Sequence, residues 1–552
     1  MKINRILLLA LVCAMACKGD DKPEPDPPVT PPGGGSNPGT LYPQITIDGY
    51  QMPGDARGGR ILDFSRTGYR WGDEEIPTVA VKVTLNPPAG GADATALIQN
   101  AIDQVGTMPV AGRNRGAVLL KAGLYNVSGQ LNLNKSGVVL RGEGSDPATG
   151  TRIVGTGVRS VNIDARTQNL VTVGGSGART GTKPTTFNIK DDYVPEGRFW
   201  LRVTNASDFR VKDDVVVYRE VNNAWIAALG LEGIWNTSDV NRMYAERVVT
   251  KIWGDTLWLE NPIACSIDPL YGGGCVYKYT YSNRVNECGI ENLALESEFF
   301  ASTNEQHCWS GVAFTVAEHC WMRNVRGRYF GFGLADIQQY AKNITVRDCV
   351  CTDFQSTLGG SRRYAFLHTG QLSMVMDCTT DSPRHAFATS GSTSIGPNVF
   401  LRCSATRCYA DVGPHRCWGQ GTLYDNLTID GAINLRNRYN NGGDRHGWAG
   451  VNEVAWNCST TRPTLDPGNY PREGFIVQSP QVSGRNYAIG CIGTLNVNDF
   501  DIGSTPPSGD GAFIPARSTA GFFTSHVSPV SLYEAQLALR KTNQPGGVFD
   551  VK

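Results

Sequence analysis

Short apolar strands that end in a cysteine or an asparagine recur through the second half of the chain. Six segments share this pattern: ITVRDCVC, SMVMDCTT, VFLRCSAT, TLYDNLTI, VAWNCSTT and YAIGCIGT. The shared position is Cys349, Cys378, Cys403, Asn426, Cys458 and Cys491, at spacings of 23 to 33 residues, and Asn292 and Asn324 extend the series upstream. One coil of a parallel β-helix needs a few short strands and their turns, so this spacing predicts one coil per repeat.

The shared position predicts a ladder inside the solenoid, because stacked coils place equivalent residues about 4.8 Å apart. Buried cysteine packs as a small hydrophobic residue, and asparagine hydrogen-bonds turn backbone. Most cysteines of the repeats are therefore expected to be reduced and buried. Cys265 and Cys275 lie off the ladder beside glycines and are the better candidates for a disulfide.

The first half supplies the start of such a fold. The segment GADATALIQNAIDQV predicts a short helix with Asp93 as its N-cap. Its apolar face consists of Leu97, Ile98, Ala101, Ile102 and Val105. The segment GAVLLKAGLYNVSGQLNLNKSGVVLRGEG then alternates apolar strands with turns. A helix in this place is suited to covering the open end of a solenoid.

The helix followed by strands resembles the opening of the pectate lyase-like superfamily of right-handed parallel β-helix proteins. That superfamily includes bacterial polysaccharide lyases and related glycosidases. The resemblance covers about Asp93 to Gly155 and, through the repeats, about Val285 to Gly493. It implies the fold more strongly than the reaction, because one fold hosts many chemistries.

We predict an all-β fold, a right-handed parallel β-helix solenoid with an N-terminal capping helix, a β-rich insertion and a C-terminal capping helix. Ser531 and Glu534 form a capping box at the start of the last helix. The predicted organisation is a lipoprotein signal peptide at 1–17, a flexible tether at 18–43, the start of the β-helix at 44–156, the insertion at 157–263, the main coils at 264–530 and the C-terminal cap at 531–552.

The N-terminus reads as a processing segment. MKINRILLLALVCAMAC has two basic residues and an apolar run too short to span a bilayer. Its end resembles a bacterial lipobox, which predicts lipidation of Cys17 and anchoring to the outer membrane, on its surface or periplasmic side. An ordinary signal peptide of a secreted protein is the alternative. The tether that follows is rich in Pro, Gly and acid, a composition that does not fold.

Charge excludes one class of partner. Lysine plus arginine equals aspartate plus glutamate, 51 each, and no basic stripe is present. This balance gives no footprint for nucleic acid.

Polar side chains gather at one set of strands. Strict alternation along the strand after each ladder turn predicts an outward row of Asp336, Gln338, Phe366, His368, Phe387, Thr389, Asp411, Asn434, Arg436 and Arg438. His415 and Arg416 end their strand in the same band, and the segment containing His446 predicts a loop over it. At about 4.8 Å per coil, the band has room for a few sugar rings.

This set of side chains favours a polysaccharide lyase that acts on a uronic acid glycan by β-elimination. Arginine binds a carboxylate through two hydrogen bonds, and histidine exchanges a proton near neutral pH. Tyr364, Tyr409 and Tyr439 are candidates for the acid at the leaving oxygen. The predicted catalytic residues are His415, Arg416, Arg438, His368 and His446. The predicted substrate-binding residues are Trp418, Phe366, Phe387, Arg436, Asn434, Trp448 and Tyr439.

Two other functions remain open. One is a glycoside hydrolase that uses Asp336, Asp411 or Asp444 as its acids. The other is a non-catalytic glycan-binding lipoprotein. We expect no cofactor and no metal; calcium is conceivable for this fold, but the repeats contain no clear acidic cluster for it.

Overall fold

Short apolar strands separated by turns build a solenoid of stacked coils. The computed structural model describes residues 57–159, 168–439, 443–461, 474–494 and 525–543, and the backbone of the short strands Thr46–Ile47, Tyr50–Gln51, Ala512–Ile514 and Phe522–Phe523. Each strand pairs in parallel with its equivalent one coil later; Val375 pairs with Phe400, and Phe400 with Tyr424. Crossover connections between parallel strands are right-handed in almost all proteins, so the fold is the predicted right-handed parallel β-helix.

Three sheets run along the solenoid. The first contains Val81–Leu85, Gly116–Leu120, Val138–Gly142, Gly289–Ser297, Trp321–Arg328, Thr345–Arg347, Met374–Met376, Ile395–Leu401, Gly419–Asp425, Val454–Trp456, Tyr487–Ile489 and Ala512–Ile514. The second contains Gly123–Val127, Thr151–Gly155, Val350–Thr352, Thr379–Asp381, Ser404–Thr406, Thr428–Asp430 and Ser459–Thr461, joined by the distal halves of two strands of the first sheet.

The third sheet carries the candidate site. It contains Leu131–Leu133, Asn169–Val173, Ser310–Phe314, Gly333–Ile337, Tyr364–His368, His385–Thr389 and Gly413–Pro414. A bridge between Val412 and Ile433 continues it into the pair Ala432–Leu435 and Gly474–Val477. Because the strands stack in register, residues that begin successive strands come together on one side of the solenoid.

The cysteines of the repeats form the predicted interior column. Its members are Leu293, Val325, Cys349, Cys378, Cys403, Leu427, Cys458 and Cys491. The asparagines lie one residue earlier than predicted; Asn292, Asn324 and Asn426 occupy turn positions with φ of 55°, 51° and 58°. Asparagine tolerates this left-handed region better than most residues. The asparagines therefore serve the turns, and the predicted alignment is corrected by one position.

The predicted disulfide is wrong. All thirteen cysteines of the described residues are free thiols, and all are buried. Cys265 packs in an apolar cluster with Trp225 and Trp418, whereas Cys275 packs in another with Tyr218 and Tyr279. The two residues lie in different clusters because the strand that carries Cys275 belongs to the inserted sheet.

The N-terminal helix spans Thr95–Thr107 and covers the first coil. Ile98, Ala101, Ile102 and Val105 are buried as predicted. Leu97 is exposed, and the Asp93 carboxylate binds the Thr95 amide from one position before the cap. The other helices are Asn223–Ala228 and Leu532–Asn543, with short 3-10 turns at Tyr69–Gly72, Ala89–Gly91, Ala206–Asp208, Thr237–Asp239 and Pro269–Tyr271.

The β-rich insertion is present, with bounds that differ from 157–263. The solenoid strand Asn169–Val173 lies inside that range, and the last strand of the inserted sheet lies after it. The antiparallel order of the sheet is Trp200–Arg202, Thr256–Leu259, Tyr244–Trp253, Asp214–Arg219 and Gly274–Lys278. The insertion is tied to the solenoid at Glu246, whose amide donates to the Gln371 side chain and whose carboxylate accepts from Arg284.

The C-terminal helix also forms, and the Ser531 hydroxyl caps the Glu534 amide as predicted. Its apolar residues Leu532 and Tyr533 pack on the outer face of the first sheet, beside Trp456 and Phe64. The helix therefore covers the side of several coils. It packs there because the first sheet presents an outward apolar row that includes Leu401, Leu423 and Val454. Among the described residues, none of the helices combines the length and apolarity needed to cross a membrane.

Candidate functional site

A buried carboxylate organises the outer side of the third sheet. Asp411 precedes the strand Gly413–Pro414, and its carboxylate lies 2.9 Å from Nδ1 of His385, the first residue of the preceding strand. Arg438 and Asn434 donate to the other oxygen of the same carboxylate. The His385 Nδ1 also lies 2.9 Å from the Asp411 carbonyl oxygen. Asp411 therefore fixes the imidazole and the guanidinium on either side of it.

Aromatic and imidazole rings extend from this carboxylate. Tyr364 begins the strand one coil before His385, and the two ring centroids lie 4.8 Å apart. The His415 ring is 4.5 Å from that of His385 and 5.5 Å from that of Tyr364. The Nε2 atoms of His415 and His446 are 3.3 Å apart. We call Tyr364, His385, Asp411, His415, His446 and Arg438 the site cluster.

The site cluster holds neutral rings beside one ionised carboxylate. Burial would raise the pKa of Asp411, but Arg438 and His385 outweigh it and hold that pKa well below the ordinary value. Burial, His385 and Arg438 hold the pKa of His415 well below its ordinary value. Burial and Arg438 lower the pKa of His446 to about 4. At neutral pH, His415 and His446 are therefore neutral bases.

The remaining two rings complete this picture. Burial lowers the pKa of His385, although Asp411 opposes the shift. Burial raises the pKa of Tyr364, and Arg384, which donates to its hydroxyl at 3.3 Å, opposes that shift. The phenol therefore keeps its proton at neutral pH. A neutral imidazole and a protonated phenol are the groups that proton abstraction and leaving-group protonation require.

The edge of the cluster reaches the surface. His415 is half-buried, Arg384 is half-buried and Arg416 is exposed. Nδ1 of His415 and Nε2 of His385 have no hydrogen-bond partner in the part of the chain that the structure describes. Both nitrogens are shielded from solvent, so the cluster holds unpaired proton acceptors just inside the cationic side chains at its edge.

Three predicted site residues lie inside the solenoid. Phe366 and Phe387 stack on each other at 5.4 Å in the core, and His368 is buried with both ring nitrogens unpaired among the described residues. Burial lowers the pKa of His368 to about 3. The reason is a slip in alternation: Ala365 and Phe366 both face the core. Strict alternation therefore assigned the core-facing side chains of Phe366, His368 and Phe387 to the outer face. The predictions for these three residues are wrong.

Trp418 and Trp448 do not form a stacking surface for substrate. Both are fully buried and pack against Trp225 and Trp235 of the insertion. Tyr439 is half-buried against the same cluster. The prediction that Trp418, Trp448 and Tyr439 bind substrate is therefore wrong, because the insertion that covers them is distant in sequence.

The predicted polar residues have mixed outcomes. Arg438 and Asn434 reach the site, but both bind Asp411, so the prediction that Arg438 holds a substrate carboxylate is corrected. Arg436 is buried beside them, where its charge helps lower the pKa of Asp411. Asp336 accepts a hydrogen bond from Gln338, the residue after its strand, and two coils of the third sheet lie between Asp336 and Asp411. Cys17 lies outside the described residues.

Sequence reasoning did not select His385 or Arg384 for the site. A usable signal was present: HAFAT and YAFLH align so that His385 and Tyr364 both begin their strands. Within the described residues, no group of three or more His, Cys, Asp or Glu side chains is arranged to hold a metal ion.

Comparisons with known proteins show distant structural likeness. The tailspike protein gp49 from Pseudomonas phage LKA1 is 14% identical, with a TM-score of 0.42, over 72% of this chain and 56% of that protein. The Geobacillus virus E2 protein ORF18 is 13% identical, with a TM-score of 0.37, over 76% and 62%. The tailspike protein of E. coli bacteriophage HK620, solved in complex with pentasaccharide, is 12% identical, with a TM-score of 0.32, over 83% and 58%.

The chain thus spans somewhat more than half of the length of these phage proteins. No protein-family model matches the chain, and no curated protein matches it. The fold is established by the strand pairing itself, and the resemblance to the pectate lyase-like superfamily stays a prediction.

Proposed function

We propose that this chain is a polysaccharide lyase that cleaves a uronic acid glycan by β-elimination without a metal. The observation that carries the proposal is a row of ring contacts from Tyr364 through His385 and His415 to His446. The row is anchored where His385 meets the Asp411 carboxylate, which Arg438 already neutralises. β-Elimination needs a base for the C5 proton, an acid for the leaving oxygen and a cation for the uronate carboxylate. The site cluster contains the base and the acid, and Arg384 and Arg416 at its edge are the cations.

His415 is the proposed base, because it is the most exposed of the three rings and its Nδ1, which lies just beneath the surface, is unpaired among the described residues. Its nitrogen takes the C5 proton, and the electron pair of that C–H bond becomes the second bond between C4 and C5. The bond between C4 and its glycosidic oxygen breaks, and the Tyr364 hydroxyl protonates the departing oxygen. Arg416 and Arg384 lie nearest to the surface and are assigned to the substrate carboxylate.

The charge state of Asp411 weighs against hydrolysis. Glycosidases generally use two carboxyl groups, one of them a proton donor with a raised pKa. The pKa of Asp411 is shifted in the opposite direction. Its role is to hold His385, as a carboxylate orients the imidazole in other His–Asp pairs.

The test is a product assay. Purified protein is incubated with polygalacturonate, alginate, chondroitin and hyaluronan, with and without a chelator, and followed by far-ultraviolet absorbance and mass spectrometry. A lyase yields unsaturated ends in at least one case, and chelation leaves the rate unchanged. Saturated products carrying an added water would identify a hydrolase, and binding without any product would identify a glycan-binding protein.

The proposal includes export on a lipid anchor at Cys17. Wild-type protein should then partition with membranes, and Cys17→Ser should release it or leave it unprocessed. A mature N-terminus that is unmodified and begins elsewhere would contradict the anchor.

A further inference from the structure

Four of the eleven tryptophans of the chain meet beside the site cluster. Trp225 and Trp235 come from the insertion, and Trp418 and Trp448 come from the solenoid turns that carry His415 and His446. The Trp418 ring lies 4.8 Å from Trp225 and 6.2 Å from Trp235, edge to face in both pairs. We call these four residues the tryptophan cluster. The insertion therefore packs on the turns that carry two site histidines.

Polar contacts attach the insertion to the turn that carries His446. The Trp235 indole donates to the Arg445 carbonyl at 3.0 Å. The Arg445 guanidinium donates to the Ile234 carbonyl and lies 3.1 Å from the Asp239 carboxylate. Arg445, the residue before His446, thus both accepts from and donates to one segment of the insertion.

Gly447 allows this close approach. It has a φ of 59°, which disfavours side chains, and a Cβ atom there would lie 2.4 Å from the Trp235 ring. Its amide donates to the Tyr439 carbonyl, and its carbonyl accepts from the Arg438 amide. The backbone around His446 is therefore fixed by Trp235 on one side and by the strand of Arg438 on the other.

We propose that Trp235 and Gly447 are positioning residues, through which the insertion holds His446 against His415. No residue of the insertion belongs to the site cluster, so its contribution to the site is indirect. The role of these two residues in turnover rests on the proposed function. Their role in holding the two imidazoles together is independent of that function, and a titration without substrate measures it.

Charged and titratable groups surround His415 and His446, so a change in their contact should change the pKa of His415. His415 faces His385, His446, Arg438 and Asp411, and the phenol of Tyr364. Around His446, besides the other imidazole and Arg438, are Arg416 and Asp444. Burial is the largest cause of the lowered pKa of His415, and His385, Arg438 and His446 lower it further. Displacing His446 should therefore raise the pKa of His415.

The experiment is an NMR titration of the histidines, which number only seven, in four variants. In Trp235→Ala and in Gly447→Ala, the His415 resonance should titrate at higher pH than in wild type. Trp235→Phe keeps an aromatic ring and should restore most of the wild-type value. Trp253→Ala removes a tryptophan of the insertion that is 46% exposed and should change neither histidine.

Kinetics on the cleaved polymer supply a second readout. Misplaced catalytic groups lose turnover, so kcat of Trp235→Ala should fall by about 10- to 100-fold with little change in KM. The acid limb of its pH–rate curve should move to higher pH. Because both substitutions disrupt one contact, the double variant should be no worse than the worse single variant.

If His415 titrated in folded Trp235→Ala and Gly447→Ala at the same pH as in wild type, the proposal would be overturned. The tryptophan cluster would then contribute only to packing. If the alanine variants do not fold, Trp235→Leu, which removes the ring and the indole donor but fills part of their volume, takes their place, and wild-type titration in it would overturn the proposal. A wild-type protein that cleaves no polyuronide, yet shows the predicted titration shift in its variants, would refute the lyase assignment and leave the positioning contact standing.

Discussion

The interior column of cysteines, which we call the thiol column, and the site cluster on the outer side of the solenoid are built from the same coils by different rules. The column repeats one position, and its thiols are alike in burial. The site cluster takes Tyr364 and His385 from strand starts, Asp411 from the residues before a strand, His415 from a strand end and His446 from a later turn. Repetition yields a uniform core, whereas a site with several chemical roles arises where the coils stop being equivalent.

Among substitutions in these two regions, the largest expected loss of stability is at Arg438. Arg438→Ala leaves the buried Asp411 carboxylate without its main cation, which should lower the free energy of unfolding by about 3–5 kcal/mol. Urea unfolding at neutral pH measures the loss. Arg416→Ala, at an exposed arginine, should change stability by no more than about 0.5 kcal/mol.

The same pair predicts a pH dependence. The folded pKa of Asp411 is depressed, so its stabilising contribution is present above the ordinary aspartate pKa and is lost as pH falls through the folded value. The stability gap between wild type and Arg438→Ala should therefore shrink on acidification. A gap that is absent at neutral pH, or that widens in acid, would show that Asp411 is not held by this arginine.

Another buried carboxyl gives the next effect. Glu453 is fully buried near the Thr422 hydroxyl, and burial raises its pKa well above the ordinary value. A raised folded pKa contributes stability that is fully present below the unfolded pKa and is lost as pH rises. Each pKa unit of such a shift is worth about 1.4 kcal/mol.

Glu453→Gln abolishes this titration while nearly preserving shape. The variant should match wild type near pH 4 and become the more stable protein toward pH 8, as measured by thermal melts across that range. A difference in melting temperature between the two proteins that stays constant with pH would show that folding does not raise the pKa of Glu453.

The smallest effect is expected in the thiol column. Cys378→Ala should lower the free energy of unfolding by about 1 kcal/mol and leave activity unchanged. Labelling of native, unreduced protein at the column cysteines should be slow and should accelerate on unfolding. Disulfides between column cysteines in peptide maps would contradict the column.

The column was predictable because burial recurs once per coil and leaves a periodic trace at Cys349, Cys378 and Cys403. The site was predictable only in part. The strand end and the predicted loop led to His415 and His446, but counting by alternation failed at Phe366, where two neighbours face the core together. Nothing local to Trp418 reveals Trp225, almost two hundred residues away, so its burial is a tertiary effect.

The most direct test of the account is the turnover of His415→Ala on the polymer that wild type cleaves, with its melting temperature measured alongside. Loss of a general base costs roughly 10²–10⁴-fold, so kcat should fall at least a hundredfold while the melting temperature stays close to that of wild type. His526→Ala, at an exposed histidine whose ring bonds the Gly490 carbonyl, is the matched control and should keep full activity. A kcat of His415→Ala within a few-fold of wild type would contradict the assignment of the site cluster's base.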